Sequence, residues 1–391
     1  MATITLRRKS ESTAFKILVG TMLILAVAGI AAMIYRMVMG LGATTNLSDY
    51  YPWGLWIGMD FTLIAFSAGA FTLACLVNLL NLERFRPVLR LAMLSGWVGY
   101  LSVALILVAD LGRWDRFWHF MIYPNVHSPM FEISWCLFLY SGVLTLELLP
   151  TFFERFDRPK VVRFLHRISV PLVIVGVTLS LLHQSTLGTL YVAMPNRIHP
   201  LWYTPLMPAL FLISAVGLGL SAVILATLVS SWLFDWKVPT NIVSSLAKGA
   251  MWVWLVYLAF KLEHLLGAGL LVKLFSFGEA SFWFMVEMVL MVILPIILFA
   301  LPSTRRSRWG LGIAAASATL GTTLNRFNVT FTAQSVGGIW TIPELANSAR
   351  YFPSWIESLI QVGILAGAFI LWYLAVRHLP ILTTRQNTAG S

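Results

Sequence analysis

Carboxylates gather at the meeting point of two long apolar runs. Asp110-Leu-Gly-Arg113 closes one run, a tryptophan-rich loop follows, and Pro129-Met-Phe-Glu132 opens the next. Asp110 and Glu132 therefore sit at the same end of neighbouring segments. An ionisable group is expensive inside lipid, so one kept there faces a bundle interior or a wet cavity. Asp110 and Arg113 are also one turn apart, the spacing of a helix-end ion pair. Asp60 lies within another run, in Tyr51-Pro-Trp53-Gly-Leu-Trp56-Ile-Gly-Met-Asp60. Helical spacing puts Trp53, Trp56 and Asp60 on one face. That stripe is either a wall for a flat, amphipathic ligand above a proton-accepting group, or a tryptophan belt beside an acid bonded to the next helix.

His183, in Leu182-His-Gln184-Ser-Thr-Leu-Gly188, is expected at the end of a fifth run, on the side of Asp110 and Glu132. Imidazole titrates near neutrality and can bond a carbonyl or phenol oxygen. A histidine at a helix end also serves as an ordinary interface residue, and the same two readings hold for His199-Pro-Leu-Trp202. Glu132, Cys136 and Tyr140 follow one another at four-residue spacing on one face, with Glu147 near the other end of that run and off the stripe. A carboxylate at Glu132 is placed to accept a proton and pass it on. In the second half Glu263, His264, Glu287, Arg326 and Glu357 form either steps of a proton path or a static charge network. Cys75 and Cys136 fall in predicted helices and make neither a disulfide framework nor a metal motif, so no metal is expected. Haem would need two axial histidines on facing helices, for which His183 and His264 are the candidates.

The elements that position these groups are membrane helices. The 391 residues are 59% hydrophobic and 11% charged, with a mean hydropathy of +0.82. A soluble domain carries about twice that charge. Apolar runs long enough to cross a ~30 Å hydrocarbon layer recur from end to end, and the alternating short strands of a membrane barrel are absent. The chain is expected to be all-α and polytopic, with ten spans near 15–35, 54–80, 91–110, 131–150, 168–187, 205–234, 249–271, 280–301, 309–325 and 355–376. The pair Arg7-Arg8 has the look of a twin-arginine signal, but the following run is too long and no cleavage site follows, so an uncleaved first helix is expected.

The net charge of +11 does not indicate nucleic acid, because the cations fall in short loops between spans. With the N-terminus inside, inner segments hold 19 of the 27 lysines and arginines and the outer half holds 8, the latter including Arg36, Arg113, Lys261, Arg326 and Arg350. That bias places both termini in the cytoplasm. The outer loops, 36–53, 111–130, 184–204 and 326–354, are the longer ones and are rich in Trp, Tyr, Pro and His. Loops of that kind carry function more often than short connections do.

Taken together, Pro52-Trp-Gly-Leu-Trp-Ile57, Asp110-Leu-Gly-Arg113, His127-Ser-Pro-Met-Phe-Glu132, Leu182-His-Gln-Ser-Thr-Leu-Gly188, His199-Pro-Leu-Trp202 and Tyr351-Phe-Pro-Ser-Trp-Ile-Glu357 resemble the NrfD/PsrC family, in its ten-helix HybB-like, DsrP-like and HmcC-like branch. The resemblance spans nearly the whole chain. It implies one integral membrane domain over 1–391. A first four-helix bundle over 54–187 would carry a quinone site, a second bundle would cover 205–325, and helices 15–35 and 355–376 would flank them. It further implies a membrane anchor, in a bacterial or archaeal inner membrane, that exchanges electrons with menaquinone or another quinone and docks a ferredoxin-like iron–sulfur subunit on its outer face. The subunit itself would hold neither haem nor metal. Asp60, Asp110, Glu132 and His183 are the expected proton-handling residues, and Trp53, Trp56, Arg113 and Gln184 the expected quinone contacts. Glu147, Glu263, Glu287, Arg326 and Glu357 are the expected proton path. A haem-bearing b-type cytochrome subunit and a secondary transporter are the rival readings.

Overall fold

The computed structural model describes residues 13–49, 51–276, 278–335 and 351–382. Arg7, Arg8, Lys9, Arg350 and Arg385, and all of residues 336–350, lie outside them. All regular structure among the described residues is helical, as the apolar runs require: a backbone in lipid must satisfy its own hydrogen bonds. Ten long helices follow one another. They are α1 (Thr13–Met39), α2 (Leu55–Ala74, extended by a π turn Cys75–Leu79), α3 (Arg86–Asp110), α4 (Pro129–Arg155) and α5 (Ser169–Val192). Then come α6 (Met207–Phe234), α7 (Thr240–Gly267), α8 (Glu279–Met288, a π turn Val289–Ile293 and Leu294–Ala300), α9 (Arg308–Phe327, a π turn Asn328–Thr332 and Ala333–Ser335) and α10 (Trp355–His378).

Among the described residues nine of these helices are long and apolar enough to cross a membrane. The remaining one, α9, has the length but is less apolar, because it carries Ser317, Thr322, Asn325 and Arg326 on its buried face. Those polar groups find partners inside the protein, which is how a helix of this composition is tolerated there.

The helices close into two rings. In the first, α2 packs on α3, α3 on α4, α4 on α5 and α5 back on α2. In the second, α6 packs on α7, α7 on α8, α8 on α9 and α9 back on α6. Helix α6 also packs on α2 and α5, joining the rings, while α1 and α10 pair with each other and lean on α3. Small residues allow the closest approaches. A Cβ on Gly219 of α6 would run into the backbone of α2 at Gly69, and one on Gly29 of α1 would run into Gly363 of α10. Close backbone contact of this kind holds helices together where lipid removes the hydrophobic drive.

Hydrogen bonds identify the two ends. At the long-loop end Arg36 donates to the Leu111 carbonyl at 2.6 Å and Asn46 N–H donates to Glu357 at 3.0 Å. At the short-loop end Arg90 at the start of α3 holds Glu154 at the end of α4 through two 2.8 Å bonds and reaches the Pro380 carbonyl at 3.0 Å.

Candidate functional site

The first ring contains a buried polar column. His183 is fully buried within α5, more than two turns before that helix ends, rather than at its mouth as expected from the apolar run. Its Nδ1 meets the Tyr100 hydroxyl of α3 at 3.1 Å, and its Nε2 has no partner. Tyr100 packs edge-on against Tyr140 of α4, with ring centroids 4.7 Å apart, and the Tyr140 hydroxyl is likewise unpartnered. Gln184, next to His183, donates to the Ile64 carbonyl at 3.0 Å and leaves Oε1 free. Asp60 of α2 is 1% exposed and its Oδ1 accepts nothing. It lies within electrostatic reach of both Tyr100 and Asp110. A buried polar atom without a partner costs about 1–3 kcal/mol. Among the described residues seven such atoms, on Asp60, Asp110, Tyr140, Glu147, Ser180, His183 and Gln184, occur within the helices of this one ring. A fold bears that cost where the groups have a ligand or water to meet.

Beside the first ring lies its seam with α1 and α10. There Arg36, fully buried, stands within electrostatic reach of Asp110, and its Nε and Nη1, like Asp110 Oδ1, have no partner among the described residues. Trp56 fills the same seam and donates from Nε1 to the Glu357 carbonyl at 3.1 Å. Glu357 is saturated. Its Oε1 accepts the Tyr351 hydroxyl at 2.6 Å, and its Oε2 accepts Ser354 N–H at 2.8 Å as half of a capping box that starts α10. Burial, and then the bond to Glu357, keep the Tyr351 phenol protonated well above its ordinary range.

Several expected positions move. Trp53 precedes the helix and meets Tyr191 edge-on at 5.9 Å, so it faces the ring interface while Trp56 faces α10. The two indoles therefore do not share a wall. Arg113 is exposed and grips Asp115 at 2.8 and 2.9 Å, not Asp110. That bond draws the Asp115 carboxyl down to about 2. Glu132 is exposed at the start of α4 instead of desolvated, and accepts the Thr186 hydroxyl at 2.7 Å. Its stripe continues inward as expected, since Cys136 and Tyr140 are buried below it. Glu147 is half-buried near the far end of α4.

The second ring is built differently. Glu287 of α8 is fully buried and fully bonded: Oε1 accepts Asn325 at 2.7 Å, and Oε2 accepts the Trp202 indole and Asn328, each at 2.8 Å. Asn325 and Asn328 are three residues apart on α9 and so face this carboxylate together, just where the π turn Asn328–Thr332 begins. Arg326 bonds Asn325 Oδ1 at 2.7 Å and Ser214 at 2.8 Å, and its guanidinium lies 3.9 Å from the Phe211 ring centre. It reaches Glu287 through Asn325, so the network is not a direct ion pair. Lys261, also buried, donates to the Leu201 carbonyl at 2.9 Å rather than lying in an outer segment. A small space between Trp202, Tyr257, Lys261, Asn325 and Arg326 is about the size of a water molecule.

The expected path through Glu263, Glu287 and Glu357 is not continuous in this fold. Glu263 is exposed on α7, Glu287 is sealed in the second ring, and Glu357 belongs to the seam beside the first. Nor do the two candidate haem histidines share a partner: His183 bonds Tyr100 in the first ring, and His264 contacts the Pro200 carbonyl at 3.2 Å in the second. In the loop before α6, His199 is held below its ordinary range by burial and by the nearby Lys273.

Tyr100 and the two asparagines are the residues missed by inspection of the sequence, which counts Arg36 only as an outer cation and quotes Trp202 only within His199-Pro-Leu-Trp202. Tyr100 carried a usable signal, because a tyrosine in the middle of an apolar run needs a partner for its hydroxyl.

Comparison with known proteins agrees with this architecture. The chain is 30% identical over 370 residues to the "Menaquinone reductase, integral membrane subunit" of Nitratidesulfovibrio vulgaris, covering 88% of this chain and 86% of that protein. It is 29% identical over 366 residues to the "Probable Ni/Fe-hydrogenase 2 b-type cytochrome subunit" of Escherichia coli, covering 90% and 89%. It is 23% identical over 406 residues to a selenate reductase subunit of Mesobacillus selenatarsenatis, covering 93% of each. The family model "Polysulphide reductase, NrfD" matches residues 43–337, from the start of the first ring to the end of α9, and the chain belongs to that family.

Proposed function

We propose that the protein is the quinone-reactive membrane subunit of a multisubunit oxidoreductase, passing electrons between the quinone pool and an iron–sulfur subunit docked at the long-loop end. The observation that carries this reading is the set of unpartnered polar atoms on Asp60, Tyr140, His183 and Gln184 inside the first ring. A quinone has a flat apolar ring and two oxygens, which suits hydrogen-bonding heads among aromatic side chains. Bound there, it supplies the two-electron chemistry; the protein binds, orients and moves protons. His183 is held by Tyr100 through Nδ1, so its Nε2 is presented to a ligand oxygen. Asp60 and Asp110 hold the proton, and Glu132, exposed at the mouth, exchanges it with solvent. Residues 54–187 form the quinone-handling unit and 205–325 the supporting one. The cation bias supports cytoplasmic termini, with the long loops on the outer side of what would be an inner membrane. The names of the menaquinone reductase and selenate reductase relatives support both the substrate class and assembly with catalytic partners.

The test is isolation of the intact complex from native membranes through a tag on this chain. Iron–sulfur proteins should co-purify, and menaquinol should reduce them. A chain that purifies alone and does not react with quinol would overturn the reading in favour of a transporter. The Escherichia coli relative is named a b-type cytochrome subunit, so an absorption spectrum of the isolated chain separates that reading too: a haem band would show that a group other than quinone uses these histidines.

A further inference from the structure

Between α4 and α5, at the short-loop end, the chain forms a nine-residue helix, Pro159–Arg167. Lys160, Arg163 and Arg167 recur at the spacing that gathers side chains on one face of a helix. On the adjoining face Phe164 is 60% exposed and Val161 38%, while Leu165, at 5%, points into the protein and pins the helix there. The exposed apolar face does not stop at this helix. Phe152 and Phe156 at the end of α4, with rings 4.8 Å apart, and Val170 at the start of α5 continue it onto the outer surface of the bundle.

The charge beside this face is one-sided. Arg155, Arg158, Lys160, Arg163 and Arg167 are all exposed, and none makes an ion pair with a described residue. The neighbouring Glu154 is already held by both guanidinium nitrogens of Arg90. Asp157 is the remaining acid between Arg155 and Arg167. An aqueous loop has no use for an exposed phenylalanine face. A protein docking site gains little from five uncompensated cations next to a surface that continues onto the lipid side of two spans. A helix with cations on one face and exposed apolar residues on the next, at the end of a membrane helix, matches the boundary between headgroups and acyl chains.

We propose that Pro159–Arg167 is an anionic-phospholipid site. Val161 and Phe164 enter the acyl boundary of the leaflet at the short-loop end, and Lys160, Arg163 and Arg167 engage lipid phosphates. This does not depend on which side of the membrane that end faces, nor on the quinone reading. Each cation near an anionic surface is worth about fivefold in binding, so three together are worth on the order of a hundredfold.

The experiment uses the full chain in a non-ionic detergent. Phosphatidylglycerol or phosphatidylcholine is added, and retained lipid is counted by native mass spectrometry. The wild type should retain phosphatidylglycerol in clear preference. That preference should fall as salt rises from about 0.05 M to about 0.5 M, because exposed charges are screened over that range. Lys160→Gln/Arg163→Gln/Arg167→Gln should lose the preference by on the order of a hundredfold. Phe164→Ser should weaken retention while keeping its salt dependence. Equal retention of the two lipids by the wild type, or a preference indifferent to salt, overturns the proposal without any variant being needed. Displacement of the lipid by inorganic phosphate also overturns it, since the site would then read an anion and not a membrane.

Discussion

Asp60 and Glu287 are both carboxylates sealed inside a ring of four helices, and they are treated in opposite ways. Glu287 receives three donors, from Trp202, Asn325 and Asn328, and the two asparagines, three residues apart, share one face of α9. Asp60 Oδ1 receives none from the described residues. The same contrast runs through the surroundings. In the first ring His183, Gln184 and Tyr140 each keep an unused polar atom, whereas the second ring ties its arginine and lysine to Ser214, Asn325 and the Leu201 carbonyl. Some polar atoms go unmet there too, on Arg326, Ser230 and Trp254, but the acid is not among them. A saturated buried charge fixes a structure; an unsaturated one is available to a ligand or a proton. Helices of similar composition thus hold their buried acids in two different ways, and hydrogen bonding separates them where residue type does not.

The comparison can be broken first at the unsaturated site. Asp60→Asn and His183→Ala should each lower quinol turnover by about 10²–10⁴-fold, the usual contribution of a positioned proton-transfer group. The complex should still assemble, because neither side chain supplies a bond on which another buried group depends, apart from the Tyr100 hydroxyl. Normal turnover in a correctly assembled variant would remove that residue from the site.

The complementary change, Glu287→Ala, should show up in stability. It strands one indole and two amide donors beside Lys261 and Arg326, and removal of one partner from a buried charged set costs about 3–5 kcal/mol. Thermal unfolding in detergent should reveal the loss, or the variant should fail to accumulate in membranes. A Glu287→Ala protein as stable as the wild type but inactive would put the second ring into the chemistry.

Tyr100→Phe sharpens the contrast at a smaller scale. It removes one hydrogen bond to His183, worth about 0.5–1.5 kcal/mol in stability, yet it frees the imidazole to rotate. Turnover should fall more than that stability loss accounts for. Equal, small changes in both would make Tyr100 a packing residue only.

Arg113→Gln should have the least effect. The guanidinium is exposed and committed to Asp115, whose carboxyl it holds down at about 2. Quinol turnover should stay within about twofold of wild type, as a surface pair contributes little. A large loss would bring the 111–128 loop back into the site.

Much of this was legible in the residues. Repeated apolar runs required helices, since only helices and closed barrels satisfy a backbone in lipid, and residue spacing correctly aligned Glu132, Cys136 and Tyr140. Acids inside such runs marked Asp60 and Glu287 as costly, and cost is visible in residue type alone. What residue type could not show was whether the cost had been met. Partners come from segments far apart in the chain: Trp202 for Glu287, Tyr100 for His183, Asn46 for Glu357. Local spacing also misled where the helix began later than the pattern suggested, as at Trp53, or where a nearer partner won, as at Arg113 with Asp115.

The sequence by itself thus determined that the chain is a bundle of membrane helices and which side chains are expensive to keep there, because both follow from transfer of each residue into lipid. Only the tertiary structure decided which of those side chains are satisfied. A hydrogen bond depends on atoms brought within about 3 Å and correctly aimed, and in this fold that is settled by how the helices of the two rings pack and where the connecting segments carry Asn46 and Trp202.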